Sequence, residues 1–400
     1  MAFSEKYVTV TGGGLHDGSS EANAWTLAEA VSNYAAGDRI NVKAGTYSDS
    51  SMVTFATPGT DSSPVAWRGY KTTIGDLDTH PTTQRVSGTD CPLFTNSVSS
   101  GAAYSARSYQ SFEQIHFTSA VVGTVFDLGY FTNVISLIGC RVESTTTSTG
   151  AVRAVFGNAS RSIILTDCYF SKNSTADTCV RAYGTSAFFF NRCTIVGGAN
   201  GFEHTQAGYS SILSFCVFSG QGSFSIKVSS HLFVDNCSFY DCAGSFIEQS
   251  QDNDLCVKSC VFSECGGYAI SNSTGSDKHK FFMTDNLYHD SSFGSGRLNN
   301  IANDFYAKVD TASPFVDAAN GDFTIATTSN GYNNQYLLEK SDISSYMDSG
   351  AIRHQDPSGG GSNRAGTQFY PFRYLVEDLF EIHEGSDTSS TSTGIHPLGQ

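Results

Sequence analysis

Six cysteines, Cys140, Cys168, Cys193, Cys216, Cys237 and Cys260, recur at intervals of 28, 25, 23, 21 and 23 residues. Each closes the same local pattern: ISLIGC, IILTDC, FFFNRC, SILSFC, LFVDNC and LCVKSC. Ile115 continues the series backward by 25 residues and Asn286 forward by 26, which makes eight matched repeats. A fixed internal period of this length is the mark of a solenoid and constrains the fold more than any total does.

The phase inside each repeat says what the unit is. Five and three residues before the repeated position the chain is mostly apolar: Ile135/Leu137, Ile163/Leu165, Phe188/Phe190, Leu232/Val234, Leu255/Val257 and Phe281/Met283. A step of two is a strand with one face buried. The cysteine comes three residues later, and the next apolar position two beyond it: Val142, Phe170, Ile195, Phe218, Phe239, Phe262. A step of three between two period-two runs is a bend, and it carries polar pairs such as Thr166-Asp167, Asn191-Arg192 and Asp235-Asn236. A third strand fits upstream, as in Val180–Ala182, Ile226–Val228 and Phe246–Glu248. Three strands and three turns per repeat are one coil of a single-stranded parallel β-helix, with coils stacked at about 4.8 Å. The chain is expected to be all-β. The stacked thiols then read as small buried hydrophobes in an interior ladder. The rival, a metal site at Cys256, Cys260 and Cys265, is disfavoured because Cys256 and Cys260 obey the strand-and-corner phase; no metal and no cofactor are expected.

Totals narrow the partners. The 400 residues carry 23 Lys and Arg against 38 Asp and Glu, a formal net charge of −15. Nucleic-acid binding depends on cations that neutralise phosphates, so a nucleic acid or an anionic membrane is not an expected partner. No apolar run approaches the ~20 residues of a membrane helix. The N-terminus, MAFSEKYVTVTGGG, shows no basic segment followed by an apolar core, and the default for its thiols is the reduced state. Asn158-Ala-Ser160 and Asn272-Ser-Thr274 match the glycosylation pattern, which has meaning only on a secretory route.

A solenoid needs closed ends. Residues Ala24–Ala35 read as a short capping helix with Asn23 as N-cap and Trp25, Ala28 and Val31 on its apolar face; Ile40 and Val42 follow as the first inward pair. Here the chain resembles a family. The Gly-rich start, the helix and the run Gly37-Asp38-Arg39-Ile40-x-Val42-x-Ala44-Gly45-Thr46-Tyr47 are similar to the entry of pectate-lyase-like right-handed β-helix proteins. Pro314–Asp317, Asn320–Phe323 and Ser349–Ile352 are similar to the closing coils of many bacterial and phage members. The resemblance spans roughly residues 7–355 and implies a right-handed solenoid; lyases, hydrolases, adhesins and phage tailspikes share it, so it does not by itself imply one activity. The expected organisation is a cap over 1–36, the β-helix over 37–356, and a linker with a C-terminal segment over 357–400. In the last, SGGGS at Ser358–Ser362 is a flexible linker by composition. Phe369, Tyr370, Phe372, Leu375, Leu379 and Phe380 crowd apolar area into a dozen residues suited to docking.

The chemistry is sparse. The resemblance implies calcium-binding Asp residues with an Arg or Lys base in lyases, and Asn-Thr-Asp, Asp-Asp, Gly-His-Gly and Arg-Ile-Lys in galacturonases, but neither those motifs nor WiDH or RxPxxR are present. Nucleophile elbow, phosphate loop and dinucleotide fingerprint are missing as well. What remains is an outward ladder on the third strand: Asp127, Arg181, Glu203, Lys227 and Glu248. Its bland reading is a cross-strand charge ladder of alternating sign. Its sharp reading is a carbohydrate cleft with Glu203 and Glu248 as acid and base and Asp127, Arg181 and Lys227 contacting substrate. Two coils separate the carboxylates by roughly 10 Å, near the ~6.5–9.5 Å of inverting glycosidases. His116, His204 and His231 show no shared spacing, and His16-Asp17 reads as turn chemistry.

The leading expectation is a phage-type virion protein: a tailspike, fibre or capsid decoration made in the host cytoplasm and presenting a β-helix for assembly or glycan recognition. Its partners would be other virion proteins or a homo-oligomer such as a trimer. The alternative is a secreted polysaccharide lyase or glycoside hydrolase. If residues 363–400 are a docking segment, truncation at Pro357 will leave folding and the melting midpoint nearly unchanged while the shortened chain fails to join its particle. A truncated chain that is insoluble by centrifugation would instead identify the segment as a cap.

Overall fold

The computed structural model describes residues 3–329 apart from 79–87, 98–101, 120–123, 129–132, 146–151, 156–160, 174–176, 184–185, 207–209, 252, 273–280, 291, 295–307 and 321. Ser349–Ile352 and the C-terminal docking residues Phe369, Tyr370, Phe372, Leu375, Leu379 and Phe380 lie outside the described residues. The chain winds as a parallel β-helix. A first sheet of eleven strands runs from Ser4–Val8 through Asp38–Lys43 to Phe281–Thr284, and a second of eleven from Gly45–Asp49 to Lys308–Asp310. A third face holds three strands ending at Thr124–Asp127 and then seven, from Val152–Val155 to Ser292–Gly294. Strands pair with their counterparts one coil away, as in Leu137↔Leu165, Leu165↔Phe190 and Phe190↔Leu213.

The bend between the first and second sheets is one residue in the left-handed region. Gln114, Gly139, Asp167, Arg192, Phe215, Asn236, Ser259 and Asp285 have φ between 52° and 61°, one in each matched repeat. L-residues pay roughly 1–2 kcal/mol for that conformation, and the stacked backbone offsets it. From Gln114 to Ser259 each corner N–H donates to a carbonyl of the next coil, as from Asp167 to Asn191 O at 2.9 Å and from Arg192 to Ser214 O at 2.9 Å. The turn drives the following side chain inward. Cys140, Cys168, Cys193, Cys216, Cys237 and Cys260 are all buried free thiols. Several donate to carbonyls of the preceding coil, Cys168 to Leu137 O at 3.2 Å and Cys193 to Leu165 O at 3.3 Å. Ile115 and Asn286 occupy the same buried position at the two ends of the series. Asn286 accepts from Cys260 N at 2.8 Å and donates to Val257 O at 3.1 Å, so its amide is satisfied inside the core.

Two residues past each thiol the inward side chains stack in turn. Phe218, Phe239, Phe262 and Tyr288 have ring centroids 4.9–5.4 Å apart and planes within 14° of parallel. The thiols suspected of clustering point apart: Cys260 faces the core, Cys256 lies on the outer side of the first sheet between Phe233 and Phe282, and Cys265 pairs with Cys242 on the second sheet.

The ends correct one local expectation. The helix is Leu27–Asn33, and its N-cap is Thr26 rather than Asn23, which closes a separate 3-10 turn at Glu21–Asn23. Thr26 wins because it forms a reciprocal capping box with Glu29. Trp25 lies before the helix and bridges Val8. The strand Ser4–Val8 pairs in register with Asp38–Lys43, so the first sheet begins ahead of the helix. At the far end an antiparallel pair, Phe315–Asp317 with Asp322–Ile325, folds back over the outside of the second sheet. There Phe315, Phe323 and Ile325 cover the outward Val217, Val261 and Leu287.

Burial pushes the thiols of Cys168, Cys193, Cys216 and Cys237 well above the ordinary range, which suppresses the reactive thiolate. Thiol titration of the native protein is expected to label at most the half-buried Cys256 and Cys265 quickly, and all eleven cysteines only in denaturant. Cys216→Asp should cost roughly 4 kcal/mol or more, read by denaturant unfolding, because it places an unpaired charge in the stack.

Candidate functional site

The seven-stranded part of the third sheet sets its outward residues in strict succession. Arg181 pairs with Glu203, Glu203 with Lys227, Lys227 with Glu248, and Glu248 with Ser271. Side chains alternate across a strand, so their buried neighbours Phe202, Ile226 and Ile247 hold this row outward. Asp127 is not in the row. It ends the separate three-stranded sheet, paired with Ser105, and the strand Val152–Val155 intervenes before Arg181.

The two carboxylates are held from opposite sides. Glu203, its side chain 13% exposed, accepts at Oε2 from Thr178 Oγ1 at 2.5 Å and Asn200 Nδ2 at 3.2 Å, with Arg181 Nε 3.7 Å away. Glu248 accepts from Ser271 Oγ in the following coil at 2.5 Å. Lys227 stands between them, and among the described residues its ammonium makes no ion pair; it lies over the Phe224 ring, 5.4 Å from the centroid. The coil of Lys227 is therefore a cationic step between two anchored carboxylates about 10 Å apart, two strand spacings. That backbone spacing is wider than the ~5–5.5 Å of a retaining pair and close to the ~6.5–9.5 Å of an inverting one.

A second constellation lies on the outside of the second sheet. Glu143 sits 2.7 Å from His116 Nε2 and 2.6 Å from Arg141, and accepts from Ser171 Oγ at 3.2 Å. The Arg141 guanidinium lies over Tyr169 at 4.5 Å. Burial works to raise the Glu143 carboxyl, but His116 and Arg141 outweigh it and hold it at about 2. The His116 side chain is only 7% exposed, which suits a structural knot better than a reaction centre. His116, Arg141 and Tyr169 each follow the repeated position, Ile115, Cys140 and Cys168, by one and pair in one row. The cysteine period contains that signal, provided it is extended to the position after the cysteine.

Comparisons with known proteins agree on the fold. A family model described as "Right handed beta helix region" matches residues 153–308. The solved structure of pectate lyase Pel9A aligns with a TM-score of 0.54 at 13% identity, covering 88% of this chain and 96% of that one. A pectin methylesterase from Aspergillus niger aligns at 13% identity over 78% of this chain and 92% of that one, with a TM-score of 0.41. No curated protein matches by sequence. The chain has the right-handed parallel β-helix fold, which pectate lyase Pel9A shares.

The Glu143 knot makes a pH prediction. Its carboxyl is depressed from an ordinary 4.5 to about 2, so its contribution is full above pH 4.5 and is lost as pH falls toward 2. That contribution is at most about 3 kcal/mol. Urea unfolding between pH 5 and 2.5 should show the wild type losing stability steeply. Glu143→Gln should start lower and fall less; equal slopes would show that the knot is not coupled to folding.

Proposed function

We propose that this chain recognises an extended glycan along the outer face of its third sheet, with Arg181, Glu203, Lys227 and Glu248 contacting successive sugars. The observation that carries this is the unbroken row of four charged side chains in consecutive coils. A row rising by one strand spacing per coil presents regularly spaced donors and acceptors to a polymer, and Lys227 offers an ammonium that makes no ion pair among the described residues. Asp127, beyond the end of the row, would contact only a longer ligand.

If the chain also cleaves the glycan, Glu203 and Glu248 are the acid and base. In an inverting hydrolysis one carboxyl protonates the leaving oxygen and the other activates a water. Glu203, with two donors converging on Oε2 and the Arg181 guanidinium beside it, suits the fixed role of orienting that water, and Glu248, with one hydroxyl donor, the exchange of a proton. The lyase and galacturonase motifs are absent, so common acidic polysaccharides are not expected to be cut. The virion role expected from the sequence has no support in these comparisons beyond the shared fold, and glycan recognition is the part of it that the charged row favours.

The test is affinity electrophoresis of the full chain through gels containing neutral or uronate polysaccharides, alongside a reducing-end assay. Retardation by at least one polysaccharide, weakened about tenfold or more by Lys227→Ala, is expected. Undiminished retardation in Lys227→Ala with Glu248→Gln would move binding to another face. Cleavage that survives both Glu203→Gln and Glu248→Gln would remove them as acid and base.

A further inference from the structure

The three outer faces of the solenoid differ. The third carries the charged row, and part of the second is covered by the strands at Phe315–Asp317 and Asp322–Ile325. The first sheet carries an outward row of a different kind: Ile164, Phe189, Ile212, Phe233, Cys256 and Phe282, paired in that order over six consecutive coils. Ile164 is 38% exposed, Phe233 41% and Phe282 53%, while Phe189 between them is buried. Beside the row stand Thr166, Asn191, Ser214, Asp235, Lys258 and Thr284, in which only the neighbours Asp235 and Lys258 are charged and of opposite sign. In the other direction the row continues through the small Ser136 and Ser111 to Ala66. Over those serines lies a shallow hollow of about 130 Å³, walled by Pro64, Tyr109, Gln110 and Val134.

We infer that this face is the contact between two copies of the chain. A body with a net charge of −15 repels its own copy except where charge is depleted, and charge depletion with aromatic enrichment marks interface cores. Size agrees with the same occupant, since the eight strands from Gln110–Glu113 to Phe281–Thr284 make a face of roughly 600 Å², about 1,200 Å² over two partners and at the lower end of a standard interface. Where the second sheet has outward apolar residues, the chain covers them with its own strands; the described residues supply no such cover to Phe233 and Phe282. The face is also self-complementary. It has its most exposed knob, Phe282, at one end and its hollow at the other, so a two-fold axis across its middle seats each Phe282 over the partner's hollow. Self-association is thereby assigned to the first sheet. The glycan-facing row on the third sheet stays open.

Sedimentation equilibrium of the full chain at micromolar concentration tests this. A dimer is expected, and it should become a monomer in Phe233→Asp, with the circular dichroism spectrum retained. Phe282→Asp and Val134→Asp, at opposite ends of the face, should each weaken the dimer tenfold or more. Lys227→Ala, on the glycan face, should leave it intact, which separates this test from that of glycan binding. A monomeric wild type would overturn the inference, as would a dimer unaffected by Phe233→Asp. So would a chain that dimerises only after truncation at Pro357, which would make its own C-terminal segment the occupant.

Discussion

The corner between the first and second sheets is the constraint on which the rest depends. One residue per coil takes a left-handed conformation, and its amide bonds to the coil above. That single turn rotates the chain so that a side chain three positions after an inward residue again faces the axis. In six of the eight repeats that position holds a small, weakly polar side chain packed near carbonyls of the coil below. Cysteine fills it and can still donate a bent S–H to those carbonyls.

Because the corner repeats, every layer repeats with it. The aromatic stack of Phe218, Phe239, Phe262 and Tyr288, the charged row on the third sheet and the apolar row on the first are consequences of one registration carried upward through the stack. The surface is thus a set of lines parallel to the axis, each with its own chemistry. A function that needs a line, such as gripping a polymer or lying against another rod, can be placed on one face without disturbing the others.

Much of this was legible in the chain itself. The cysteine period located the corner, and the step of two located the strands on either side. The third-sheet residues Arg181, Glu203, Lys227 and Glu248 followed from the same phase. What escaped was whatever depended on contacts outside the period. Asp127 shares the residue type of the row but sits on a separate sheet, because the strands below Val152–Val155 are paired on their own. The N-cap passed from Asn23 to Thr26 through a capping box that a longer helical pattern had obscured. His116 looked solitary because only the cysteine position had been followed, although Arg141 and Tyr169 repeat its phase. The apolar row at Ile164, Phe189 and Phe233 was hidden for a different reason. Its residues alternate with inward Ile, Leu, Phe and Val, so the strand reads as continuously hydrophobic and neither face stands out.

The left-handed corners have a consequence for how such a chain changes over time. All eight use one residue in the same conformation, so a whole coil serves as a unit of length. Removing or duplicating the stretch from one corner to the next would shift every outer row by about 4.8 Å along the axis and leave each facing the same way. Length then becomes a quantity measured out in turns, like graduations on a ruler. The reach of any face along a partner is set by how many graduations the gene contains.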